Sequence, residues 1–173
     1  QYMSQTQLVV VSDTNIFIDL IDLDLYEDFL QLGYQIHTNI FVLHELKDKQ
    51  QKAYLDNVGG LIIEQFDTPG FMAQVYQFFD ERQRKGLSFT DCSVLYQGIK
   101  LSATVLTGDK KMMRSAKEMD INVRGILYIF DQLVEQNILP HSTACQKLQQ
   151  LFIRNSRLPK DEIDKRLNLW SNS

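Results

Sequence analysis

A chain of 173 residues, 44% hydrophobic and 23% charged, has the composition of one ordinary globular domain, long enough to bury a core without metal or disulfide staples. A net charge of −4 and a pI near 5.3 exclude a protein that holds nucleic acid by bulk charge, so contact with a polyanion would need a local cationic patch or bridging metal ions. No apolar run approaches the roughly 18 residues of a membrane span, no signal peptide is expected with Met3 as the start, and Cys92 and Cys145 lack metal-ligand spacing, which suits reduced thiols in a cytoplasmic protein.

Residues 8–11 are a continuous apolar run, the pattern of a strand buried on both faces. Residues 15–32 read as a helix whose acids Asp19, Asp22, Asp24, Glu27 and Asp28 make a solvated face. A second strand is expected over 34–38 and a helix from about 41 to 55, before Gly59-Gly60 breaks the chain ahead of a third strand at Leu61-Ile62-Ile63. Asp67-Thr68-Pro69 opens a helix that runs to Arg84 and stops at Gly86. Ser88-Phe89-Thr90-Asp91 has the spacing of a capping box with Asp in place of Glu, which sets Asp91 in a helix's first turn.

Strands four and five fall at 103–107 and 122–126, with helices at 110–119 and 128–136. Beyond Pro140 two helical segments follow, 142–155 and 159–170; Ile163, Leu167 and Trp170 in the second form one apolar stripe. Strands alternate with helices over the first 130 residues. That pattern predicts an α/β fold with a central parallel sheet of about five strands, helices on both faces, and C-terminal helices added. Residues 1–137 read as the domain that carries the site and 138–173 as a helical extension packed on it.

Four acids stand where such a fold places a ligand. Asp13 follows Val9-Val10-Val11-Ser12, and Asp109 follows Val105-Leu106-Thr107-Gly108, at the carboxyl ends of strands. Glu45 lies in Leu43-His44-Glu45-Leu46, and Asp91 in the capping box. Each has a purely structural reading: Asp109, Asp91 and, less well, Asp13 as helix caps, Glu45 as the partner of Lys49 one turn on. Gathered together they would repel unless a cation lay among them. One or two Mg²⁺ or Mn²⁺ ions held by Asp13, Glu45, Asp91 and Asp109 suit phosphodiester hydrolysis, activating water and neutralising the leaving oxygen.

Ser88, Thr90 and Thr107 are hydroxyls beside these acids, suited to orienting them. Lys110, Lys111 and Arg114 open the helix after Asp109, and its amino end disfavours the two lysines, so a phosphate there is one reading and a solvated face the other. Lys47, Lys49 and Lys52 are candidates for an opposite wall. His37, His44 and His141 lack zinc spacing, Cys92 reads as a buried inert thiol, and Tyr34, Phe89 and Tyr96 as core aromatics.

The order Asp, Glu, Asp, Asp, with an Asp-x-Asn opening and the segments Ser-Phe-Thr-Asp and Leu-Thr-Gly-Asp, resembles the PIN domain, a family of metal-dependent ribonucleases. The resemblance spans about residues 8–134. It implies a three-layer α/β/α fold and Mg²⁺- or Mn²⁺-dependent endonuclease action on single-stranded RNA, with Asn15 holding Asp13 or a metal-bound water. In VapC-type toxins, which it also brings in, a cognate antitoxin is a partner and small members often form homodimers. Two rivals stand beside it. A haloacid-dehalogenase-like phosphatase needs an acid where this chain has Asn15. A non-catalytic RNA- or protein-binding PIN module would lack one of the four acids, and none is missing.

Overall fold

The computed structural model describes residues 7–172; Met3 lies outside them. The apolar run becomes β1, Val9–Ser12, in which Val10 and Val11 are fully buried. It is joined by β2 (Gln35–Asn39), β3 (Ile62–Glu64), β4 (Thr104–Leu106) and β5 (Val123–Arg124) in one sheet of order β3-β2-β1-β4-β5. Every pairing is parallel. The helices are α1 (Thr14–Asp22), α2 (Tyr26–Leu30), α3 (Ile40–Glu45), α4 (Lys49–Val58), α5 (Pro69–Arg82), α6 (Phe89–Leu101), α7 (Lys110–Glu118), α8 (Ile126–Glu135), α9 (His141–Arg154) and α10 (Lys160–Ser171). A parallel five-stranded sheet flanked by helices is the three-layer α/β/α class expected from the strand–helix alternation.

The chain builds outward from β1 to β2 and β3, then returns to the other side of β1 for β4 and β5. The order therefore reverses between β1 and β4, where Val11 is level with Val105 and Ser12 with Leu106. In open parallel sheets the crevice beyond the carboxyl ends at such a reversal is where ligands bind. Close approach of α6 to this sheet requires Gly98, because a Cβ there would lie 2.7 Å from the Val105 Cγ2.

Two expected helices are broken, both by local chemistry. The 15–32 segment splits because Asp24 adopts a left-handed conformation (φ 54°) and the Leu25 N–H bonds back to the Leu20 carbonyl at 2.8 Å, ending α1 before α2 begins. The 41–55 segment splits at Leu46, whose backbone is extended (φ −76°, ψ 94°). Asp48 then caps α4, accepting from the Gln50 and Gln51 N–H groups at 2.8 and 3.1 Å. As a result Glu45 is the last residue of a short helix rather than the middle of a long one.

The chain divides into two compact units, with the boundary inside α1. One holds residues 7–18 and Gly33–Ile126, and so the whole sheet. The other holds Asp19–Leu32 and residues 127–172. In the second unit Ile163 and Trp170 are buried, and Trp170 stacks on Phe130 with ring centroids 6.4 Å apart. Arg166 there grips Asp131 with two hydrogen bonds of 2.7 and 2.8 Å. Asp19 and Asp22, expected on a solvated face, pair with Arg154 of α9 at 3.9 and 2.6 Å. Sequence-distant Arg154 is invisible to a local reading of α1. Among the described residues no helix is long and apolar enough to cross a membrane.

Candidate active site

Asp13 is the most buried of the four acids, 5% exposed, one residue past β1. Its backbone N–H bonds to the Leu106 carbonyl at 2.9 Å, extending the β1–β4 ladder by one step and fixing the residue at the order reversal. Its carboxylate accepts from the Thr14 N–H at 2.8 Å and from the Thr107 hydroxyl at 2.9 Å. Thr107 in turn accepts from the Asp109 N–H at 3.1 Å, so one hydroxyl ties two of the acids together.

Asp109 is the N-cap of α7, with one carboxylate oxygen accepting from the Met112 N–H at 2.9 Å. Asp91 lies in the first turn of α6, in a complete capping box: the Asp91 N–H donates to the Ser88 hydroxyl and the Ser88 N–H donates to the Asp91 carboxylate. The capping reading of both acids is therefore correct as far as it goes.

Glu45 is exposed at the end of α3 and is not paired with Lys49, which belongs to α4. Its carboxylate accepts from the Thr14 hydroxyl at 3.2 Å. Thr14, which sequence reasoning passed over, thus links the residue after Asp13 to the fourth acid. Asn39 was passed over as well. Fully buried at the end of β2, it caps α3 by accepting from the Phe41 and Val42 N–H groups at 2.9 and 3.0 Å. Its amide donates to Ser93 at 3.0 Å and to Gln97 at 3.1 Å on α6, joining the helix of Glu45 to that of Asp91. An Asn closing a strand before an apolar helix is a cap signal in the sequence, but its α6 partners are not locally visible.

The other expected neighbours sit differently. Ser88 and Thr107 do orient acids. Asn15 is exposed on the first turn of α1 and, among the described residues, makes no hydrogen bond to Asp13. Thr90 is buried, and its carbonyl accepts from the Ser93 hydroxyl at 2.6 Å rather than its own hydroxyl meeting an acid. Lys110, Lys111 and Arg114 are all exposed on α7. Cys92 is buried, and burial pushes its thiol up to about 11, which leaves it inert.

Electrostatics draw the four acids into one group. Burial raises the Asp13 carboxyl to about 6, against the hydrogen bonds from Thr14 and Thr107, and the charges of Asp91 and Glu45 add to the rise. Asp91 is also raised, chiefly by burial, with Asp109 and Glu45 adding to it. Among the described residues none of the four is ion-paired with Lys or Arg. Mutually repelling oxygens without a protein cation fit a hard divalent ion. Among the described residues no three His, Cys, Asp or Glu side chains converge closely enough to ligate one ion directly. An ion placed among them would take one or two carboxylates directly and meet the others through water.

A family model described as PIN domain matches residues 9–172. No curated protein matches the sequence. Among solved structures, the chain is similar to PAE2754 from Pyrobaculum aerophilum, with 15% identity, a TM-score of 0.55, and 75% of this chain and 99% of the other covered. It is also similar to VapBC2 from Rickettsia felis, solved bound to a DNA fragment from their promoter, with 23% identity, a TM-score of 0.51, and 68% and 98% covered. For FitAcB from Neisseria gonorrhoeae the identity is 17%, the TM-score 0.42, and the coverage 66% and 95%. At such identities the first two establish a shared fold.

Proposed function

The chain belongs to the PIN-domain family, whose members are generally nucleases, and on that premise we propose that it is a divalent-metal-dependent endoribonuclease acting on single-stranded RNA. Asp13, Glu45, Asp91 and Asp109 are its metal-holding and catalytic carboxylates. The observation that supports this most is the repulsive four-carboxylate group at the order reversal between β1 and β4, with Asp13 raised to about 6 and no Lys or Arg paired to any of the four among the described residues. Mg²⁺ or Mn²⁺ bound there supplies Lewis-acid polarisation of the phosphodiester and a more acidic water.

The chain's own residues do the positioning. Thr14 and Thr107 hold both oxygens of Asp13, and Thr107 sets Asp109 beside it. Ser88 fixes one oxygen of Asp91. Glu45, the exposed member, orients the attacking water at the rim. Lys110, Lys111 and Arg114 meet the RNA backbone. In this reading a proton leaves to solvent through the carboxylates, since none of the three histidines is among the residues that hold them.

Purified protein should cut a single-stranded RNA into products with 5′-phosphate and 3′-hydroxyl ends, stop in EDTA, and resume with Mn²⁺. Cleavage that continues unchanged in chelator overturns the metal mechanism. Membership of another family and the exposed amide Asn15 in the general-acid position both weigh against the dehalogenase-like phosphatase, and four filled acidic positions weigh against a non-catalytic module.

We further propose that the nuclease acts in the cytoplasm as the toxin of a toxin–antitoxin pair, covered by an antitoxin and able to pair with a second copy of itself. The resemblance to VapC-type proteins supports this, and the VapBC2 neighbour shares the fold. A small upstream reading frame for a DNA-binding protein, whose product blocks the cleavage, is the expected result. A lone gene whose expression leaves growth unaffected would favour a housekeeping nuclease.

A further inference from the structure

On α5 and on the helices that carry Glu45 and Asp91 lies a row of aromatic rings that the reaction does not use. Phe41 shares a helix face with Glu45, four residues on along α3, and Phe89 opens α6 two residues before Asp91. The two rings meet edge to face, with centroids 5.0 Å apart. From Phe89 the row continues to Phe79 at 5.6 Å and to Tyr76 at 4.9 Å, both on α5. Exposure rises along it: Phe41 and Phe89 are half-buried, whereas Tyr76 is 53% exposed. A single exposed tyrosine needs no explanation. A row of rings that runs from buried Phe66, stacked on Phe41 at 5.3 Å, across the two helices carrying Glu45 and Asp91 to a ring open to water does.

Charge narrows what would cover it. With a net charge of −4, this chain cannot hold a polyanion by bulk attraction. Base stacking on aromatic rings is the uncharged source of single-strand affinity, indifferent to sequence because every base has a π-face. Phe41 lies one helical turn from Glu45 on the same face of α3, so a single strand whose phosphodiester meets the carboxylates runs along the helices that carry the ring row. We propose that Tyr76, backed by Phe89, is a stacking subsite for the nucleobase next to the cleaved phosphodiester. This rests on the nuclease reading above and deepens it, assigning the substrate an unpaired base at that position.

The probe is a short single-stranded RNA carrying 2-aminopurine, whose fluorescence is quenched by stacking, in versions that move the label along the chain. With the full-length protein we expect quenching at one position next to the cut. Tyr76→Ala should abolish that quenching and raise KM on the order of tenfold with kcat largely kept. Tyr76→Phe, which keeps the ring, should behave like the parent, and an abasic nucleotide at the quenched position should reproduce the Tyr76→Ala defect. The subsite is overturned if Tyr76→Ala matches the parent in KM and quenching, as it would if these rings served a protein partner, or if Tyr76→Phe fails as badly as Tyr76→Ala. Quenching that depends on Tyr76 in a protein that cuts no RNA would instead sink the nuclease reading and leave base stacking on Tyr76 standing. A parent that neither cuts nor quenches overturns both.

Discussion

Asp13 is where burial and chemistry oppose each other most. Its carboxyl ionises near 3.8 in an unfolded chain and at about 6 in the fold. Below pH 3.8 the group is protonated in both states and costs nothing. Between 3.8 and 6 the unfolded chain ionises first, so stability falls as pH rises, and above 6 the full penalty is present. A difference of about two pH units corresponds to roughly 3 kcal/mol. Asp13→Asn should therefore abolish cleavage and raise the unfolding midpoint at pH 7. The gain should fall short of that ceiling, because an amide nitrogen facing Thr107 cannot accept its hydroxyl, and it should fade by about pH 4. A variant that unfolds at pH 7 would mark Asp13 as a structural carboxylate. The same proton competes with metal: Mn²⁺ affinity without RNA should weaken as pH falls below about 6. A calorimetric profile that stays flat from pH 5 to 7 would remove Asp13 from the metal site. Asp13, Asp91 and Asp109 are legible in the sequence because each stands beside its own anchor, a strand end, a capping box or a helix start. Thr14 is not, because its hydroxyl bond runs to Glu45, 31 residues away. Asp13 itself is held from the next residue, by the Thr14 N–H at 2.8 Å, a backbone bond that no side-chain pattern announces.

Among the elements, α3 shows how a short helix is held. Six residues cannot be stable alone. Asn39 compensates with four side-chain hydrogen bonds, two capping α3 and two reaching α6, to partners 54 and 58 residues away. Asn39→Ala strands two backbone N–H groups and the Ser93 and Gln97 acceptors in a buried place, so we expect a loss of roughly 2–4 kcal/mol by chemical denaturation. Loss of under 0.5 kcal/mol would show that the link is dispensable. The capping box of α6 could be read from four adjacent letters, whereas this cross-link needs the fold. The two misjudged helices fail for the same reason: Leu46 and Asp24 break patterns whose apolar spacing runs on unbroken. On α7 the exposed Lys110, Lys111 and Arg114 make the test of RNA steering. Their combined change to Ala should lower affinity and flatten its salt dependence, the log–log slope dropping by about 0.7 for each lost phosphate contact. Metal affinity should survive, since all four carboxylates remain. Identical binding at low and high salt would reduce these cations to a solvated face and shift the RNA path toward Lys47, Lys49 and Lys52.

At the scale of the whole molecule, the family model spans residues 9–172, past the last of the four acids and through both C-terminal helices. Their packing bears on the same stretch. The second unit closes around Phe130, Leu133, Ala144, Leu148, Leu151, Ile163 and Trp170, all buried. Phe130 and Leu133 precede residue 138 and the other five follow it. A chain ended at residue 137 would keep every acid of the proposed site and yet lose Trp170, the ring stacked on Phe130 of α8. Burial of a large core side chain is worth several kcal/mol, and Trp170→Ala alone should cost roughly 3 kcal/mol by leaving the face of Phe130 without its partner. Removing both helices takes away several such contacts, more than the 5–15 kcal/mol that holds a domain together can spare. The truncated chain should aggregate or unfold in steps, with exposed apolar surface detectable by dye binding. If it instead unfolds in one sharp transition and still cuts RNA, the first 137 residues suffice, and α9 and α10 are present for a partner rather than for the fold.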